Sequence, residues 1–156
     1  MMQWLSGGHL VLADRTRVVH EVWTAGHAPS HYLSQSDWVM AFRSCAFNVP
    51  ATTLTLWRGA GYPYTPGMAW SRSEQVARSF AAKRSGSGDE MALYRASAPP
   101  HAVLAEFEVA AWAGREEEVV VDPDGLEDVT VIEVWGLSDE QEQARARLKR
   151  ILNDGV

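Results

Sequence analysis

Alternating apolar and polar positions recur through the middle of this chain, and helical spacing takes over on either side. In TLTLWRG, Leu54 and Leu56 share one strand face and Thr55 and Trp57 the other, which delivers Arg58 at the strand end just before Gly59. GMAWSRSEQVARSFAAK reads as a short strand running into a helix from about Glu74 to Lys83 that buries Val76, Ala77, Phe80 and Ala81. Two starts are open for that helix: a capping box of Ser71 with Glu74, or Ser73 as the N-cap. MALYRA and AVLAEFEV alternate as strands, separated by Pro99 and Pro100. AAWAGR, with Trp112, reads as a loop, and the strand EVVVD ends at the turn Pro123-Asp124-Gly125. DVTVIEVW forms a last strand with Val129, Val131, Glu133 and Trp135 on one side.

Outside this middle region the pattern changes. Val18 to Trp23 reads as a short strand, and TAGHAPSHYLSQS as a loop. Trp38, Val39, Phe42, Cys45 and Ala46 fall at helical spacing after Ser36 and Asp37, which predicts an amphipathic helix packed on the sheet and ended at Asn48 to Pro50. At the other end, Ser138 and Gln141 make a capping box ahead of a helix whose apolar stripe is Ala144, Leu148, Ile151 and Leu152. The organisation expected is one α+β domain over residues 1–156, with a partly helical region at 1–50, a β-rich core at 52–136 and a closing helix at 138–153.

Composition narrows the function classes. A hydrophobic share of 46% with seven Trp supplies a sizeable core. The net charge of −6 argues against tight sequence-independent binding to nucleic acid, which depends on neutralising phosphates. The single cysteine, Cys45, rules out an internal disulfide and a thiolate metal cluster. His27 and His31 stand four apart across Pro29 without an HExxH pattern, so no metal site is assigned. The N-terminus has no basic region followed by an unbroken apolar run, and no stretch approaches the ~20 apolar residues of a membrane span. A soluble, unprocessed, cytoplasmic chain is the expectation.

Three polar residues then stand out by position. Arg58, Ser71 and Glu118 each sit where an apolar strand begins or ends. Glu116 and Glu118 point to one face by the strand period, ~6–7 Å apart along the backbone, and two carboxylates so placed suit a cationic transition state. Arg58 beside Gly59 offers a planar fork of donors to a phosphate or ribose, although strand-end arginines also make simple surface ion pairs. In GAGYPYTPGM, Tyr62 and Tyr64 offer a stacking place for a flat ligand, and pinning of the loop to the core is the equal alternative.

Arg58 in LTLWRG, the island AWSRSEQVARSFA, and Glu116-x-Glu118 before VVVDP, in that order, resemble the R-S-E class of mono-ADP-ribosyltransferases, which includes clostridial-type toxins and small bacterial and phage enzymes. The resemblance covers roughly Thr52 to Trp135. It implies two packed, roughly perpendicular β-sheets with flanking helices, NAD+ bound as substrate in the cleft between them, and no metal. It further implies that Arg58 holds the phosphate and ribose region, that the backbone beside Gly59 contacts nicotinamide, and that Tyr62, Tyr64 and Trp70 wall the nicotinamide ring. Glu118 would stabilise the ribosyl cation and Glu116 orient the incoming nucleophile.

The serine motif departs from the family. Ala69-Trp70-Ser71 stands where Ser-Thr-Ser is usual, which assigns Ser71 to the site and Ser73 to the helix cap; the alternative alignment uses Ser71-Arg72-Ser73. The implied activity is transfer of ADP-ribose to a macromolecule, protein favoured over nucleic acid. An NAD+ glycohydrolase and a catalytically silent nucleotide- or partner-binding module are the alternatives. A free toxin, a phage-encoded modifier and a toxin paired with an inhibitor are the roles open to such a chain.

Overall fold

A computed structural model describes residues 12–25, 29–111 and 114–154, with side chains described throughout except at 109–111 and 114–116. Its elements run α1 (Leu12–Trp23), α2 (Gln35–Arg43), β1 (Leu54–Gly61), β2 (Ala69–Ser71), α3 (Glu74–Ser85), β3 (Met91–Ala98), β4 (Val103–Ala111), β5 (Gly114–Val121), β6 (Glu127–Trp135) and α4 (Asp139–Asp154). The fold is α+β. All six strands join one sheet in the order β4-β5-β2-β1-β3-β6, with every neighbouring pair antiparallel. Hydrogen bonding therefore makes one continuous sheet where the sequence led us to expect two.

That sheet has a narrow waist. Eight residue pairs join β1 to β3, whereas β1 meets β2 through a single one, Trp57 opposite Ser71. Three strands thus lie on each side of a one-pair junction.

The two faces are buried differently. Leu54, Leu56, Trp70, Tyr94, Val119 and Val121 belong to one cluster that contains no residue of a described helix. Tyr62, Tyr64, Leu126 and Leu137 pack against this face. On the other face, α1 and α2 bring Val19, Trp23, Trp38, Ala41 and Phe42 onto Leu104, Ala105, Phe107 and Val120. This second cluster is built on aromatic rings, with Trp23 edge-on to both Trp38 and Phe42 at 5.1 Å between centroids. Such pairs contribute ~0.5–1.5 kcal/mol each beyond area burial.

Several local expectations are met and several are corrected. Residues 18–23 belong to helix α1, not to a strand: Val19 and Trp23, one helical turn apart, face the core, and Arg17 pairs with Asp14 and Glu21 along the exposed side. A short apolar run with β-branched residues fits either element, and tertiary burial decided it. Helix α2 starts one residue before Ser36, with Ser34 as its cap, whose hydroxyl accepts from the Asp37 amide at 3.2 Å. The Ser138–Gln141 capping box forms in both directions, at 2.8 and 3.3 Å. The stripe it precedes is not buried, however: Leu148, Ile151 and Leu152 are all exposed.

In β6 the expected common face of Val131 and Glu133 is broken. Tyr94 faces Val131 while Leu93 faces Glu133, so a bulge at Ile132 sends the two to opposite sides of the sheet. His27 and Trp112 lie outside the described residues. No described helix is long and apolar enough to cross a membrane.

Gly59 sets how closely α3 lies on the sheet. A Cβ there would stand 2.2 Å from the Ala77 carbonyl oxygen and 3.1 Å from the Ala81 Cβ. Small residues on both sides let the helix rest directly on strand backbone. Gly59→Ala is expected to lower unfolding free energy by ~1–3 kcal/mol through overpacking, read as a lower urea midpoint with an unchanged slope.

Candidate functional site

The register that narrows the sheet also assembles the site. Glu118 of β5 stands opposite Ser71 of β2, and Ser71 opposite Trp57 of β1, so the three occupy adjacent places in one row across the sheet. Beyond Trp57 and Ser71 no further β1–β2 pair forms, and a cavity of about 280 Å3 opens where the strands part. Trp57, Arg58 and Gly59 line it from β1, Ala69, Trp70 and Ser71 from β2, Val76, Ala77 and Phe80 from α3, and Glu118 from β5. An arginine and a glutamate sixty positions apart in the chain thus meet at one cavity.

Each polar group is held by its surroundings. The Arg58 guanidinium donates to the Thr65 carbonyl at 3.1 Å and lies against Gly67, where a Cβ would come within 2.3 Å of three of its atoms. No carboxylate pairs with Arg58 among the described residues. Burial pulls its pKa below the ordinary arginine value, and the neighbouring Tyr64 and Tyr94 phenols oppose that shift. An arginine remains charged at neutral pH even so, which leaves a confined cation beside the cavity.

Ser71 is 3% exposed, and its hydroxyl accepts from the Ser73 amide at 3.0 Å. Ser73 caps α3, its own hydroxyl accepting from the Val76 amide at 3.2 Å. The two serines divide the work: Ser71 fixes the strand-to-helix turn and lines the cavity, and Ser73 closes the helix. Glu118 is half-buried and accepts from the Trp23 indole Nε1 at 2.5 Å, a bond that reaches across from α1. Trp70 is buried, with its indole donating to the Gly67 carbonyl at 2.9 Å, and it presents part of its surface to the cavity.

No family model, curated protein or solved structure matches this chain. Its site is defined by the geometry above.

Of the residues singled out from sequence, Arg58, Gly59, Trp70, Ser71 and Glu118 come together at the cavity. Tyr62 and Tyr64 do not line it. They pack on the core, Tyr64 meeting Tyr94 edge-on at 5.0 Å, so the pinning role holds for both. Gly59 is glycine chiefly for α3, since the space a side chain would take is filled by Ala77 and Ala81. Ser73 serves the helix cap. The Glu116 side chain lies outside the described residues, and its backbone pairs with Val109 in the β4–β5 ladder.

Trp57, Ala69, Val76, Ala77 and Phe80 line the cavity and Trp23 bonds to Glu118, although sequence reasoning assigned none of them to the site. Phe80 was expected in the core, yet it is 41% exposed and lines the cavity. Its place one turn after Val76, on the same helix side, was the available signal. Nothing local marks Trp23, because its partner is 95 positions away. Among the described residues no group of three or more His, Cys, Asp or Glu is placed to hold a metal ion.

The tyrosines around Arg58 make alkaline stability a readout of this packing. Burial pushes the Tyr64 and Tyr94 phenols up from the ordinary value. The folded state therefore favours their neutral forms, so their contribution is complete below the unfolded phenol value of ~10 and is lost as pH rises through the folded values. Unfolding free energy from urea titrations is expected to fall steeply above pH ~10, and Tyr94→Phe to show a shallower fall.

Proposed function

We propose that the chain is a mono-ADP-ribosyltransferase that cleaves NAD+ and transfers ADP-ribose to a macromolecular acceptor. The observation that carries this reading is the meeting of Arg58, Ser71 and Glu118 at one cavity, in the chain order and strand positions that the R-S-E resemblance requires. The two groups of three strands on either side of the Trp57–Ser71 pair would correspond to the two packed sheets of that fold.

The chemistry follows from charge. A cation with no carboxylate partner among the described residues is suited to an anionic ligand, and the planar guanidinium matches phosphate or ribose oxygens. A cavity of about 280 Å3 takes the nicotinamide and its ribose and leaves the rest of the dinucleotide to extend outward past Arg58. Trp57 and Phe80 offer aromatic surface to the ring in place of the two tyrosines.

In this reading the bond between nicotinamide and ribose C1′ breaks heterolytically, and its electron pair leaves on nicotinamide. Positive charge develops at the ribose, where the Glu118 carboxylate stabilises it. The acceptor nucleophile then bonds to C1′ and loses a proton. Ser71 holds the turn that sets β2 against Glu118. A protein acceptor suits the net charge of −6 better than nucleic acid does. An inhibitor partner would belong to this reading if the enzyme acts as a toxin in the cytoplasm.

Glu118→Ala is expected to reduce nicotinamide release from NAD+ by ~100-fold or more, with folding retained. Arg58→Lys is expected to weaken NAD+ binding by ~10-fold, because a point charge does not reproduce the guanidinium fork. Both are read by chromatographic nicotinamide assay and calorimetry. Labelled NAD+ in a whole lysate discriminates the alternatives: label on protein supports transfer, and free ADP-ribose alone supports a glycohydrolase. Saturable binding without any product points to a silent module, and turnover unchanged in Glu118→Ala overturns the reading.

A further inference from the structure

The bond between Trp23 and Glu118 connects two parts of the molecule that the strand pattern alone does not relate. Trp23 closes α1 and is only 7% exposed, wedged edge-on between Trp38 and Phe42. Ring packing on two sides fixes the indole plane, and with it the direction of its single N–H. That N–H meets Oε1 of Glu118 at 2.5 Å. An indole is donor only and carries no titratable proton, so it orients a carboxylate without competing for the acidic hydrogen. Glu118 also follows Glu117, whose exposed carboxylate lies 3.5 Å from Arg72, so successive side chains of β5 are anchored in opposite directions.

We infer that Trp23 is a positioning residue for Glu118, and that the helices preceding the sheet complete the site by fixing the rotamer of its carboxylate. The inference rests on the NAD+-cleaving reading above. A carboxylate that must face a developing ribosyl cation acts only from a defined position, and misplacement by ~1 Å costs ~100-fold in rate. The donor holds one oxygen against the α1–α2 aromatic cluster, which defines where the carboxylate sits relative to the cavity.

The test uses the full chain. In Trp23→Phe an aromatic ring stays in the cluster and the donor is lost; kcat for nicotinamide release is expected to fall ~10–100-fold while KM for NAD+ changes less than ~2-fold. Phe47→Leu loosens the same cluster at a ring paired with Phe42 and Phe107 rather than with Trp23, so kcat per folded molecule should match wild type, with folded fraction taken from circular dichroism. In a Glu118→Gln background, adding Trp23→Phe should cost far less than it does in wild type, since a coupled pair is not additive. Independently of turnover, the Trp23 indole proton, identified among the seven tryptophans by its loss in Trp23→Phe, should shift and exchange faster in Glu118→Ala.

Wild-type kcat in folded Trp23→Phe, or an indole signal indifferent to Glu118→Ala, overturns the inference and leaves the NAD+ reading standing. A fall in kcat of equal size in Phe47→Leu overturns it too, since packing alone would then account for the loss. Absence of nicotinamide release by the wild-type chain overturns the reading and this inference together.

Discussion

The pairing of β1 with β2 through one residue pair governs the arrangement of everything around it. A strand that pairs along its whole length leaves no room at its edge, whereas β2 is three residues long and parts from β1 as soon as Trp57 and Ser71 have met. The backbone on both sides of that parting is anchored elsewhere: β1 by eight pairs to β3, and β2 by three pairs to β5. The gap therefore lies between two ladders, and residues of both faces line it. This is how Arg58, whose neighbours Leu56 and Ala60 lie in the all-strand core, comes to share a cavity with Glu118 and Ser71 from the helix-covered face.

The helices have unequal parts in this. Helix α3 lies on β1 at Gly59 with no side chain between, so its first two turns form one wall of the cavity through Val76, Ala77 and Phe80. Helices α1 and α2 cover β4 and β5 through an aromatic cluster, and through Trp23 that cluster touches the site itself. Helix α4 contributes nothing to the cavity lining, and its apolar side chains face outward.

How much of this was legible in the sequence depended on whether the cause was local. Strand alternation placed Arg58 and Glu118 in strands, although at strand ends and not inside β1 and β5 where they stand, and the serine cap of α3 was one of two local options that the hydrogen bonds then distinguished. Those features depend on neighbours a few residues away. The misreadings had distant causes. Helix α1 was hidden because VVHEVW fits a strand until α2 and β4 supply the surface that Val19 and Trp23 bury. The bulge at Ile132 follows from pairing with β3, which leaves no signature within β6 itself. Tyr62 and Tyr64 were offered a ligand because their loop is rich in Gly and Pro, yet Tyr94, thirty positions on from Tyr64, provides the surface they pack on. Gly59 was expected to let a ligand reach the backbone, and the group that packs there is helix α3.

The confinement of Arg58 has a thermodynamic side. A long cationic side chain in solvent samples many rotamers, and a ligand that captures it must overcome that freedom, up to ~2 kcal/mol for a residue of this type. Here the guanidinium is already seated on the Gly67 peptide and tied to the Thr65 carbonyl. Its disorder is removed when the chain folds, so an arriving anion meets a fork that needs no further freezing, and stability rather than affinity carries that entropic load.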